Sequence, residues 1–165
     1  MTTKRRPEAL DAERLFLEAE RHEQAGDYRK AFECLSSAAR LGHHMSQVNL
    51  GNFCASGTGV RRSRKKAAYW YRTAYRNGNS GGAFNLAIDR RNEGNIRSAV
   101  IWFKKAVAMS NGEACVELAR IYSARKGGQK AAADLLRQAI RMSRYEISEA
   151  AKEEAQSLLR EMTTT

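Results

Sequence analysis

Apolar residues recur three and four positions apart along this chain, in blocks of about 11–17 residues, the spacing that lays one apolar face along an α-helix. The breaks between blocks are rich in glycine and asparagine: Ala25-Gly26-Asp27, Leu41-Gly42-His43, Gly57-Thr58-Gly59, Asn77-Gly78-Asn79, Glu93-Gly94-Asn95, Asn111-Gly112 and Lys126-Gly127-Gly128. Glycine is favoured just past a helix end, where the chain turns through the left-handed region. The pattern predicts helices over 8–25, 28–40, 46–56, 64–77, 82–93, 96–109, 113–125, 129–143 and 147–162. Alternating β-branched runs are absent, and the single proline, Pro7, precedes the first block. Nothing after it is barred from helix on that account.

The blocks are copies of one another. Trp70 recurs as Trp102, Tyr71 as Phe103, Ala67 as Ala99 and Ala74 as Ala106; Leu50 recurs as Leu86 and again as Leu118. Upstream, Ala31 to Leu35 with Ala38 and Gly42 matches Ala67 to Gly78, and downstream Ala132, Leu135, Leu136 and Ala139 repeat the same positions. Small residues (Gly51, Ala87, Ala119; Ala67, Ala99, Ala132) let paired helices approach, and bulky ones (Trp70, Tyr71, Trp102, Phe103, Leu135, Leu136) fill the space between pairs. A period of about 32–36 residues built from two helices marks a solenoid of the tetratricopeptide type. The expected fold is all-α: a right-handed α-solenoid of about four antiparallel helix pairs plus a C-terminal capping helix. Its expected limits are a tail over 1–7 and one repeat domain over 8–162, with repeats at 12–43, 46–79, 82–111 and 113–143 and a cap at 147–162. Thr163 to Thr165 are expected to fray.

The second repeat is the most distinctive. Asn49-Leu50-Gly51 through Gly57-Thr58-Gly59-Val60, then Lys66-Ala67, Trp70-Tyr71, Ala74 and Asn77-Gly78-Asn79, resembles a Sel-one-like repeat, a subfamily of the tetratricopeptide repeats. The third repeat lacks the Gly-x-Gly-Val loop, and the first and fourth are closer to the plain tetratricopeptide form. The resemblance implies a scaffold whose first helices line a groove for a partner. It places Glu20, Asn49, Asn52, Asn85, Arg91, Asn92 and Arg120 on that face. An asparagine amide both donates and accepts, and arginine captures carboxylates with two donors.

Charge sharpens this expectation. The net charge is +11, and residues 41–112 carry twelve Lys/Arg against two Asp/Glu while residues 1–40 are balanced. Such a field attracts acidic proteins, nucleic acids or anionic headgroups. The run Arg61-Arg62-Ser63-Arg64-Lys65-Lys66 enters the fourth helix at its N-terminus, where cations oppose the helix dipole. A basic central groove or this loop is therefore expected to take an acidic protein or segment, with nucleic acid as the competing partner. Within the adaptor class, the resemblance also admits a bacterial immunity protein or effector chaperone.

No catalytic constellation is expected, and neither a cofactor, a metal nor a small-molecule substrate. His22-Glu23 opens like a zinc-protease helix, but Gly26 stands where the second histidine belongs. His43-His44 are expected in a surface loop. Cys34, Cys54 and Cys115 are odd in number and lie within helical blocks, so they read as small buried apolar side chains. No apolar stretch approaches the roughly 20 residues of a membrane span, and the basic N-terminus has no apolar run behind it. A reducing, cytoplasmic location is expected.

Overall fold

The computed structural model describes residues 7–163. Residues 1–6 of the expected tail, and Thr164 and Thr165, lie outside the described residues. Among those described there are nine helices and no strand: α1 (Pro7–Gln24), α2 (Tyr28–Arg40), α3 (His44–Ser56), α4 (Arg64–Arg76), α5 (Ser80–Asn92), α6 (Ile96–Val107), α7 (Gly112–Ser123), α8 (Gln129–Arg141) and α9 (Glu149–Thr163). Pro7, assigned to the tail from sequence, is the first residue of α1, where its missing N–H costs nothing. Thr163 is the last residue of α9, its hydroxyl donating to Arg160 O at 2.8 Å.

Polar side chains start most of these helices. Asp27, Ser63, Asn95 and Asn111 each accept a hydrogen bond from a backbone N–H in the first turn that follows. The Gly-x-Gly-Val connection after α3 needs its glycines. Gly59 has a φ of +64°, and a side chain there would collide with the Tyr28 carbonyl at the start of α2. Two constraints thus fall on one residue.

The chain divides into two compact units, the first ending at Gly82 and the second beginning at Ala83. In the first, α1 packs on α2, α2 on α3 and α3 on α4. Its core holds Phe16, Ala19, Ala31, Leu35, Ala39, Leu50 and Phe53, with Phe32, Cys34 and Trp70 against it. A buried amide ties three of these helices: Gln47, 2% exposed, donates to Ala39 O at 3.0 Å and accepts from Asn77 Nδ2 at 3.0 Å. Gly51 lets α4 come close to α3, since a Cβ there would lie 2.6 Å from Tyr71 Cδ1.

In the second unit, α6 packs on α7, α7 on α8 and α9, and α8 on α9. Its core runs from Cys115, Val116 and Ala119 through Ala132, Leu136 and Ala139 to Ile147 and Ala155, with Leu158, Leu159 and Met162 of α9 closing it. The repeat positions behave alike in both units. Ala67, Ala99 and Ala132 are fully buried, and Tyr71, Phe103 and Leu136 are buried while Trp70, Trp102 and Leu135 are half-buried. Truncating one of the buried aromatic members removes about 3–5 kcal/mol by the usual cost of a large core cavity.

Candidate functional site

The residues expected on the first helices do not share one environment. Glu20 is exposed on α1, Asn49 is half-buried on α3, and Asn92 is exposed at the end of α5. Asn52 is exposed on α3, but its Oδ1 accepts from the Tyr71 hydroxyl at 2.9 Å, so this side chain also holds α4. Asn85 is half-buried on α5 and engaged in an interaction of its own.

The two arginines are committed within the second unit. Arg91 on α5 donates to Glu117 on α7, and Arg120, one turn further along α7, donates to Glu154 on α9. Two ion pairs thus link α5 to α7 and α7 to α9. Each guanidinium expected to capture a partner's carboxylate already holds one of the protein's own.

The other basic group is built differently. Ser63 caps α4, accepting from Lys66 N at 3.3 Å, and Arg64, Lys65 and Lys66 fill the first turn with no acidic residue among them. Arg62 Nε donates to Ala55 O at 2.9 Å, folding the loop back on α3. From there an exposed stripe runs along α4: Lys65, Tyr69, Arg72 and Arg76, spaced by four, three and four residues and so on one side of the helix. Tyr69 is 59% exposed in the middle of it and meets Trp70 edge-on at 5.0 Å. Between Glu33 and Asp89 the sequence contains no carboxylate at all. Tyr69, Arg72 and Arg76 are absent from the sequence-derived set, although their spacing is legible once α4 is fixed.

The two histidines expected in a surface loop stand at the start of α3. His43 is its N-cap, with a side chain only 14% exposed, Nδ1 2.8 Å from Ser46 Oγ, Nε2 3.3 Å from Glu13 Oε2 and its ring 4.8 Å from Phe16. Burial pulls its pKa down and Glu13 opposes this. His44 is exposed and contacts Asn79 at 3.0 Å. Cys54 and Cys115 are buried and Cys34 half-buried, all as free thiols. Burial pushes the Cys115 thiol up to about 11, so it is protonated and inert at neutral pH. No described helix is long and apolar enough to cross a membrane.

Similarity to known proteins runs along the same repeats. The Sel1 repeat family model matches residues 21–43, 44–79 and 83–111. A Sel1 repeat protein from Oxalobacter formigenes is 18% identical with a TM-score of 0.76, over 95% of this chain and 66% of that one. A protective antigen of uropathogenic Escherichia coli, c5321, which displays an SLR fold, is 23% identical with a TM-score of 0.74, over 92% of this chain and 33% of that one. The chain thus spans a little under two thirds of the first relative and one third of the second. No curated protein matches it. The fold class is the all-α solenoid of these relatives, and with more than half its residues matched, this chain belongs to the Sel1 repeat family.

Proposed function

We propose that this chain is a cytoplasmic adaptor that docks an acidic protein segment on the basic face of its second repeat. Sel1 repeats typically serve as protein-interaction modules and are generally non-catalytic scaffolds. The observation that carries the finer reading is the stripe Lys65, Tyr69, Arg72 and Arg76 beside Arg61 and Lys66, in a stretch without a carboxylate. These five cations within reach of an extended acidic segment steer its approach, and an exposed tyrosine among them offers the aromatic anchor common at interface centres. The three free thiols suit a reducing compartment.

Nucleic acid is the competing partner, since the same charges would contact phosphates and both complexes weaken with salt. Capture from lysate on the full chain, before and after nuclease digestion, separates them. Acidic proteins retained after digestion support the adaptor. Recovery of nucleic acid with no protein surviving digestion sinks it.

A further inference from the structure

The first helix pair carries a cluster that the partner surface does not use. Glu18 and His22 are four residues apart on α1, so they project from one side of that helix. Cys34 stands on α2 one turn beyond Ala31, and the buried small residues Ala19 and Ala31 allow the two helices to pack closely. As a result a carboxylate oxygen of Glu18, a ring nitrogen of His22 and Sγ of Cys34 all lie within 4.8 Å of one another. We propose that Glu18, His22 and Cys34 form a binding site for a zinc-class divalent metal ion that clamps α1 to α2.

Donor chemistry selects the ion. One thiolate, one imidazole and one carboxylate match the ligands of zinc and its tetrahedral analogues, whereas calcium and magnesium take oxygen donors. Bond lengths of about 2.0–2.3 Å put the ligand atoms of a tetrahedral ion about 3.3–3.6 Å apart, which small rotamer changes reach from the observed spacing. Three protein ligands leave the fourth position to water. Glu18 is exposed while His22 and Cys34 are half-buried, so the ion has a path from solvent and a partly desolvated seat. Local charge favours a cation, because Glu33 neighbours Cys34 and the cluster lies in the last two turns of α1, at the negative end of the helix dipole. On binding, the Cys34 thiol gives its proton to solvent and the sulfur lone pair forms the metal bond.

The test uses cobalt(II) as an optical probe on the full, reduced chain, followed by zinc competition and circular dichroism. Expected is a thiolate-to-cobalt charge-transfer band with tetrahedral visible absorption, both removed by stoichiometric zinc, and a rise in Tm with zinc. Cys34→Ser abolishes the band, while His22→Gln and the exposed Glu18→Gln each weaken binding by at least about tenfold, with helicity retained. The proposal is overturned if the reduced wild-type chain gives no such band. It is equally overturned if the band persists in Cys34→Ser, or if affinity is unchanged in both His22→Gln and Glu18→Gln. None of these outcomes depends on the partner assigned to α4.

Discussion

Arg91 and Arg120 each hold a carboxylate from a neighbouring helix, whereas Arg72 and Arg76 stand in a stretch of sequence that contains no carboxylate. In the second unit these two ion pairs join α5 to α7 and α7 to α9. No carboxylate lies within α4. Three cations occupy the first turn, against the helix dipole, and Arg72 and Arg76 are a like-charged pair four residues apart. Each of these placements costs a few tenths of a kcal/mol in an isolated helix. Net charge alone therefore says little about binding; what matters is which cations already have a partner inside the molecule.

At one repeat position the first unit has Gly51 where the second has Ala119. If Tyr71 fills the notch left by Gly51, then Gly51→Ala destabilises the chain by about 2 kcal/mol through overpacking. It would do so although alanine is the better helix former by about 1 kcal/mol. Urea denaturation decides, and a stabilised variant would mean that the α3–α4 approach has slack.

A smaller effect is expected from the ion pairs. Arg91→Ala and Arg120→Ala each lower stability by about 1 kcal/mol, as partly exposed charge pairs do. Arg72→Ala and Arg76→Ala stay within about 0.5 kcal/mol. Equal losses in the two sets would erase the distinction between committed and uncommitted cations.

The smallest effect is a pH dependence confined to the first unit. Burial depresses the His43 pKa, so between its folded value and the ordinary value of about 6.5 the unfolded chain binds more protons. The contribution of His43 to stability is then complete above about pH 6.5 and is lost as pH falls below it. Tm measured at pH 7.5 and pH 5.5 should show a drop that His43→Gln reduces, and an equal drop in the variant would place the cause elsewhere.

Much of the fold was legible because it is a repeat. The alanines at 67, 99 and 132 recur in sequence and all three are fully buried, as a periodic helix pair requires. The pairings were not legible in the same way. Glu117 lies 26 residues from Arg91 and Glu154 lies 34 from Arg120, so only the alignment of α5, α7 and α9 brings them together. His43 escaped because histidine is not a usual capping residue, and its ring is covered by Phe16 of another helix. Tyr69, Arg72 and Arg76 could have been found from their spacing. The run at 61–66 is the denser cluster of charge, and the face of α4 that continues it is spread over residues 65–76. Glu18 and His22 are visible as a pair four apart, but Cys34 joins them only through the packing of α1 on α2.

The central claim is that Lys65, Arg72 and Arg76 of α4, and not the paired arginines, take the partner. Its most direct test is the affinity of a fluorescent Asp/Glu-rich peptide for two charge-reversed chains at one salt concentration. The combination Lys65→Glu, Arg72→Glu and Arg76→Glu should weaken binding by about tenfold or more, given roughly 0.2–1 kcal/mol per exposed pair lost. Arg91→Glu with Arg120→Glu should leave the affinity within about twofold in the folded protein, since those side chains contribute no free cation. Loss of binding in the second variant with none in the first would contradict the account and return the site to the first-helix face.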